Sequence, residues 1–279
     1  MREGRRARTL LRALALVALG AMLATAVGAL GKKKPLQPAK PQPSQPVSIR
    51  ATGVGVPQIG AQGTVAISDL ASSLRSYHDG GGYASDLQSV DSQAASFMSQ
   101  QAKALRQQRK RKCSGKGKKK SKKKARAAGC APPKIAIVLD IDETSLSNYA
   151  QLEANNFSNA AGALIVAATS SNQPAIAPTL GLYQQARAAG ISVFAITGRP
   201  TLVESLTKQN LANAGYTDLQ GVFFKPSGQD TVTFKSGERA ALEAQGYRIV
   251  ANVGDQESDL AGGHADRSFK LPNPFYFIS

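Results

Sequence analysis

Apolar and polar positions along the chain fall into three kinds of pattern. The first is an apolar run from Ala13 to Leu30 behind a basic start containing Arg2, Arg5, Arg6, Arg8 and Arg12. As a helix it would span roughly 27 Å, slightly short of a ~30 Å bilayer core and long for a signal core. It predicts a secretory signal or a single membrane anchor over residues 1–30. The second pattern is helical spacing over residues 65–108. Leu70, Leu74 and Tyr77 share one face, and Tyr83, Leu87, Val90, Ala94, Phe97 and Met98 continue the stripe after Gly80-Gly81-Gly82. This predicts a helix pair packed on the body that follows, with Asp86 and Asp91 placing negative charge early in the second helix. The third is a series of short apolar runs: Ile135–Leu139, Ile191–Ile196, Gly221–Phe224 and Arg248–Val253. Each reads as a buried strand, and Pro178–Gly190 and Thr201–Gly215 read as helices between them.

Between these patterns lie segments that cannot build a core. Residues 31–64 carry Pro35, Pro38, Pro41, Pro43 and Pro46 among Gln, Ser and Gly, which predicts an extended spacer. Residues 109–130 are dense in lysine. The formal net charge of +17 is uneven: residues 103–126 hold 14 Lys and Arg without an acid, and residues 1–50 are net +9, leaving −6 elsewhere. The basic character therefore belongs to the tail and the insert, and the body is mildly acidic. The absence of Trp and the scarcity of aromatics argue against a stacking platform for single strands, and no specific nucleic-acid recognition is expected. The polybasic stretch reads as a solvated loop, or as an attachment through residues 109–126 to anionic wall polymers, lipid head groups or, by counterion release and without sequence reading, nucleic acid. Cys113 and Cys130, the only cysteines, bracket it. In an exported protein they can form one disulfide, which would stabilise the fold by about 3 kcal/mol by restricting the unfolded chain.

The chemistry concentrates at residues 135–148, Ile-Ala-Ile-Val-Leu-Asp-Ile-Asp-Glu-Thr-Ser-Leu-Ser-Asn. A strand buried on both faces ends in Asp140 and Asp142, which by the two-residue repeat of a strand can face one pocket. Open α/β sheets bind ligands at the C-terminal ends of their strands. Two close carboxylates repel unless a cation or a shared proton intervenes. Mg²⁺ suits them, because it takes hard oxygen ligands and binds phosphate as well.

This stretch resembles motif I of the haloacid dehalogenase superfamily, and its longer form resembles the class B-type secreted acid phosphatases of that superfamily. Three further matches follow in order. Thr197-Gly198-Arg199-Pro200 is similar to motif II. Phe234-Lys235-Ser236-Gly237-Glu238-Arg239 is similar to motif III, with Phe for Tyr, and makes Lys235 the phosphate clamp in preference to Lys225. Gly254-Asp255-Gln256-Glu257-Ser258-Asp259-Leu260 is similar to motif IV, with Glu257 where relatives usually have Trp. Tyr77, Tyr83 and Asp86 resemble the region that precedes motif I, and residues 264–276 resemble the family's C-terminal ending, where His264 takes a structural or rim role. Residues 149–176 occupy the position of a cap. The aromatics that relatives place there are absent apart from Tyr149 and Phe157, which bears on substrate preference rather than on chemistry.

The resemblance implies a three-layer, Rossmann-like α/β fold with a mostly parallel sheet, a small cap insertion and N-terminal helices. It also implies Mg²⁺-dependent hydrolysis of small phosphomonoesters, nucleoside monophosphates included. Asp140 is then the nucleophile and Asp142 the acid and base. Thr197, Gly198 and Lys235 hold the phosphate oxygens. Asp140, Asp142 (through its backbone carbonyl) and Asp255 hold the metal, and Asp259 orients the metal-bound waters or Lys235. Some relatives serve mainly as storage or surface proteins with feeble catalysis. A weakly active protein that binds anionic polymers through its polybasic insert is therefore the second reading.

Overall fold

The structure is a computed structural model and describes residues 67–113 and 130–278. The N-terminal apolar run, the Pro-rich spacer and residues 114–129 of the polybasic insert lie outside the described residues. No helix among the described residues is long and apolar enough to cross a membrane.

Five strands form one sheet: β1 (Lys134–Leu139), β2 (Ser192–Pro200), β3 (Gly221–Lys225), β4 (Tyr247–Gly254) and β5 (Ser268–Lys270). Their spatial order is β3-β2-β1-β4-β5, and every pair is parallel. The chain runs outward from β1 through β2 to β3, then returns to β4 on the other side of β1. That reversal opens a crevice beyond the C-terminal ends of β1 and β4, where open α/β sheets seat their ligands.

Alternation along β1 divides the core into two layers. Ile135, Ile137 and Leu139 join the larger cluster, which also takes Val193 and Ala195 from β2. Ala136 and Val138 face the opposite side with Phe194 and Ile196. The helices fill both sides: α1 (Ile67–Asp79), α2 (Gly82–Cys113), α3 (Tyr149–Ala154), α4 (Ala160–Ser170), α5 (Ala177–Ala188), α6 (Glu204–Asn213), α7 (Thr231–Ala244) and the single turn α8 (Glu257–Leu260). Leu74, Met98, Leu182 and Leu211 bring α1, α2, α5 and α6 onto the larger cluster. Phe234 and Leu242 put α7 on the other face. Asp140 continues the even-numbered series of β1, and Lys235 sits on α7, the helix covering that face.

The helix pair breaks where the glycines predict. Gly81 adopts φ +83°, a conformation that glycine enters without steric penalty. The two acids expected to serve the start of α2 do something else. Asp86 is buried and accepts a 2.5 Å hydrogen bond from the Tyr77 hydroxyl. Asp91 is buried in mid-helix and accepts from Thr179 of α5 at 2.9 Å. Both are cross-braces, and no acid lies in the first turn of α2. The helix also runs beyond 108, through Arg109 to Cys113, which is disulfide-bonded to Cys130. Arg109 donates to the Cys130 carbonyl at 2.8 Å beside that link.

Motif II departs from expectation as well. Thr197-Gly198-Arg199-Pro200 was expected at a strand end leading into a helix. Instead β2 continues through Pro200, which pairs with Lys225 after a register shift, and a 3₁₀ turn (Thr201–Val203) precedes α6. Lys225 accordingly ends β3.

Candidate active site

The loop after β1 is folded tightly on itself. The amides of Thr144, Ser145 and Leu146 all point at the Ile141 carbonyl, at 3.3, 2.9 and 2.8 Å. Glu143 takes φ +50° to allow it. The Ser145 hydroxyl donates to the Asp140 carbonyl at 2.6 Å, and the Asp140 amide donates to Val253 of β4 at 3.0 Å. Asp140 is thus pinned by backbone on both sides before its carboxylate does anything.

From the end of β4, Asp255 and Asp259 reach the same point. Carboxylate oxygens of Asp140, Asp255 and Asp259 lie within 4.8 Å of one another, and all three residues are buried. Gly254 makes this approach possible, since a Cβ there would sit 2.4 Å from the Asp259 Cβ. Lys235 Nζ is wedged between two of the acids, 2.5 Å from Asp140 Oδ1 and 2.6 Å from Asp259 Oδ1. Asp255 is held separately: Oδ1 accepts from Thr144 at 3.1 Å, and Oδ2 accepts from Gln256 at 2.6 Å and Asn273 at 2.8 Å.

Asp142 turns away from this trio. Its carboxylate is gripped by Arg199, with Nη2 at 2.7 Å and Nε at 3.1 and 3.2 Å, and it accepts from Asn148 Nδ2 at 2.8 Å. Arg199 is itself buried and donates from Nη1 to Thr207 at 3.0 Å. Beneath them, fully buried Glu143 accepts from the Asn148 amide at 2.6 Å and the Tyr276 hydroxyl at 2.6 Å.

The electrostatics follow from five carboxyls facing two buried cations. Burial, then the charge of Asp259, pushes Asp140 well above the usual carboxylate range, with Lys235 opposing. Burial and Asp259 push Asp255 up to about 7. Burial and Asp142 do the same to Glu143, also to about 7. Burial would raise Asp142 too, but the charge and hydrogen bonds of Arg199 win and hold it below the ordinary range. Burial works against the charge on Lys235, yet Asp140 and Asp259 keep it above a normal lysine. The trio of Asp140, Asp255 and Asp259 therefore retains a demand for positive charge that Lys235 only partly meets. An all-oxygen donor set with that demand suits a hard divalent cation.

A cavity of about 440 Å³ opens onto these groups, lined by Asp140, Asp142, Gly198, Arg199, Lys225, Lys235, Asp255 and Asp259 among others. Of the expected residues, Thr197 does not line it. Thr197 is fully buried, and its Oγ1 accepts from the Arg199 amide at 3.1 Å, so it shapes the motif II turn. His264 stands apart, paired with Glu243 at 2.7 Å. The residues that sequence reasoning left without a role are Arg199, Glu143, Asn148, Asn273 and Tyr276. Arg199 was present in the motif II match, and Glu143 and Asn148 lie within the motif I stretch and bond to one another across five residues. Asn273 and Tyr276 reach the site from the C-terminal segment, by contacts that no local pattern announces.

The model of the HAD superfamily, subfamily IIIB (Acid phosphatase), matches residues 62–279. The chain belongs to this family. It is 38% identical over 148 residues to acid phosphatase 1 of Solanum lycopersicum, covering 50% of this chain and 58% of that protein. It is 35% identical over 147 residues to vegetative storage protein 2 of Arabidopsis thaliana, covering 50% and 56%. The chain thus spans little more than half the length of these curated relatives. The class C acid phosphatase from Bacillus anthracis has a similar structure, with a TM-score of 0.52 over 76% of this chain and 87% of that one. At 18% identity this likeness speaks to the fold alone. The subfamily IIIB fold is therefore the three-layer, parallel-sheet architecture expected from the four motifs.

Proposed function

We propose that this subfamily IIIB protein is a Mg²⁺-dependent phosphomonoesterase working through an aspartyl phosphate. The observation that carries the reading is the convergence of Asp140, Asp255 and Asp259 within 4.8 Å, with Lys235 inserted between them. Asp140 attacks phosphorus, and the ester oxygen leaves as the Asp140 oxygen–phosphorus bond forms. Asp142 protonates the departing alkoxide and then takes a proton from the water that releases phosphate. Lys235 fixes Asp140 Oδ1 and, with Gly198 in the cavity lining, offsets the charge on the phosphate oxygens. Thr197 supports this only through the turn it holds. Asp140, Asp255 and the Asp142 carbonyl would hold the ion, with Asp259 placed to join them. When bound, Mg²⁺ supplies the positive charge that lets an anionic nucleophile approach an anionic phosphate.

The test is turnover of p-nitrophenyl phosphate with and without Mg²⁺, in wild type and in Asp140→Asn. The expected result is loss of activity on chelation, recovery with Mg²⁺, and no turnover above background in the variant at an unchanged melting temperature. Full activity in Asp140→Asn would remove the nucleophile assignment.

The similarity to vegetative storage protein 2 favours a second reading, in which catalysis is residual and the polybasic insert is the working part. Export by the N-terminal run, and attachment of residues 109–126 to an anionic wall polymer or membrane surface, belong to the proposal under either reading. If deleting residues 109–126 left retention on an anionic polymer unchanged, the attachment would be wrong.

A further inference from the structure

The cavity over Asp140 has two unlike walls. One carries the acids and cations described above. The other is aliphatic: Leu164, Ile165 and Ala168 from α4, Leu202 and Val203 from the 3₁₀ turn after β2, and Ile278 near the C-terminal end. Several of these are conspicuously bare. Leu202 is 90% exposed, Ile165 66% and Ile278 43%. Branched side chains held at the mouth of a site, uncovered by the other described residues, gain free energy when a ligand covers them.

We infer that the site takes phosphomonoesters whose leaving group is an aliphatic alcohol, with the alkyl tail lying against this wall. The inference rests on the proposed phosphomonoesterase reading and names its substrate class. Three observations favour a tail over a nucleoside. The wall is built from branched and small aliphatic groups, and among the described residues Tyr276 is the one aromatic in the lining. A base seeks an aromatic or guanidinium plane to stack on, but the Arg199 side chain is only 4% exposed and offers no open face. A ribose and base also seek hydrogen bonds, and among the other polar residues in the lining Lys225 and Thr231 are bonded to each other at 3.0 Å, Thr169 donates to carbonyls of its own helix, and Gln256 donates to Asp255 at 2.6 Å. An alkyl chain needs none of these, only area. The volume of about 440 Å³ lies within the ~300–1,000 Å³ usual for small-molecule sites, so head and tail can both be enclosed.

The experiment uses the full chain with Mg²⁺ and two homologous series. Ethyl, butyl, hexyl and octyl phosphate are compared by kcat/KM, with adenosine 5′-monophosphate and p-nitrophenyl phosphate alongside. The corresponding alkylphosphonates, which cannot be hydrolysed, are compared by Kd in calorimetry. In both series the expected gain is roughly two- to fourfold per added methylene, the upper figure being full transfer of a CH₂ from water. It levels off once the tail reaches the mouth. The nucleotide should fall at least about tenfold below hexyl phosphate. Ile165→Ser and Leu202→Ser should each flatten the dependence on chain length, a ratio taken within one preparation and so insensitive to its folded fraction. If p-nitrophenyl phosphate is hydrolysed but both series are flat, or the nucleotide is preferred, the aliphatic assignment is wrong while the phosphatase reading stands. If phosphonate affinity climbs with chain length but no ester is hydrolysed, the ligand class stands and the phosphatase reading falls.

Discussion

Arg199 and Asp142 show what a single contact can demand of a mechanism. A leaving-group acid must carry a proton, yet Asp142 sits in a close, multiply bonded ion pair that holds its carboxyl below the ordinary range. The proton is then most available at acid pH, and the rate should fall as pH rises through the low pKa of Asp142. Replacing the guanidinium removes the grip while burial, which raises the pKa, remains. Arg199→Gln should therefore move the falling limb of the kcat profile to higher pH. The maximal rate should drop by up to the ~10²–10⁴-fold attributable to a positioned acid. A rate loss with the limb unmoved would mean that Arg199 serves the phosphate rather than Asp142. Asp140, Asp142, Asp255 and Asp259 were legible because each lies in a short motif at or just after the end of an apolar strand, and Lys235 because its Phe-Lys-Ser helical motif stands between them in the expected order. The pairing of Arg199 with Asp142 was not. It depends on β2 continuing through Pro200, and that follows from pairing with Lys225 rather than from any local preference of Thr-Gly-Arg-Pro.

At the scale of elements, the short turn α8 carries Asp259 but has too few residues to hold itself. Arg239 of α7 does this for it. Fully buried, it donates to the carbonyls of Gly263 at 2.8 Å and Asp259 at 2.8 Å, and also to that of Ala261. Burial lowers its pKa, with the charge of Asp259 opposing. Arg239→Met keeps much of the apolar stem but leaves three carbonyls to find other donors. At ~1–3 kcal/mol for each unsatisfied buried group, a loss of about 3 kcal/mol or more is expected in the urea unfolding curve. A loss under about 1 kcal/mol would show that water replaces the guanidinium freely and that α8 stands without it. The same scale marks where pattern reading ends. The four longer strands were visible as apolar runs, whereas β5 has three residues and gains its identity only by lying beside β4. In α4, apolar residues such as Ile165 and Val166 face outward as well as inward, so its sequence shows an apolar patch and no helical stripe.

Over the whole molecule, α1 and α2 are joined to the sheet domain by a shared apolar core and by a few buried polar links, of which Asp91 to Thr179 of α5 is one. Burial pushes Asp91 up to about 7, opposed by the Thr179 bond, so at acid pH this link is a neutral carboxylic acid. In the unfolded chain the same group ionises near its usual ~3.9. Between those two values the folded protein keeps a proton that the unfolded chain has released. Stability must then fall as pH rises through this window, and above about 7 the loss is complete. At about 1.4 kcal/mol per pKa unit the effect has an upper bound on the order of 4 kcal/mol. Glu143 and Asp255, also raised to about 7, add to the same trend, so the wild-type curve alone cannot apportion it. Asp91→Asn can. The amide stays neutral at every pH, and its oxygen can still accept from Thr179. The variant should match wild type within about 1 kcal/mol at pH 4.5 and exceed it by roughly 2 kcal/mol or more at pH 8, read from urea midpoints at the two values. A gap that does not change with pH would mean that Asp91 is not the group whose proton holds α2 to α5.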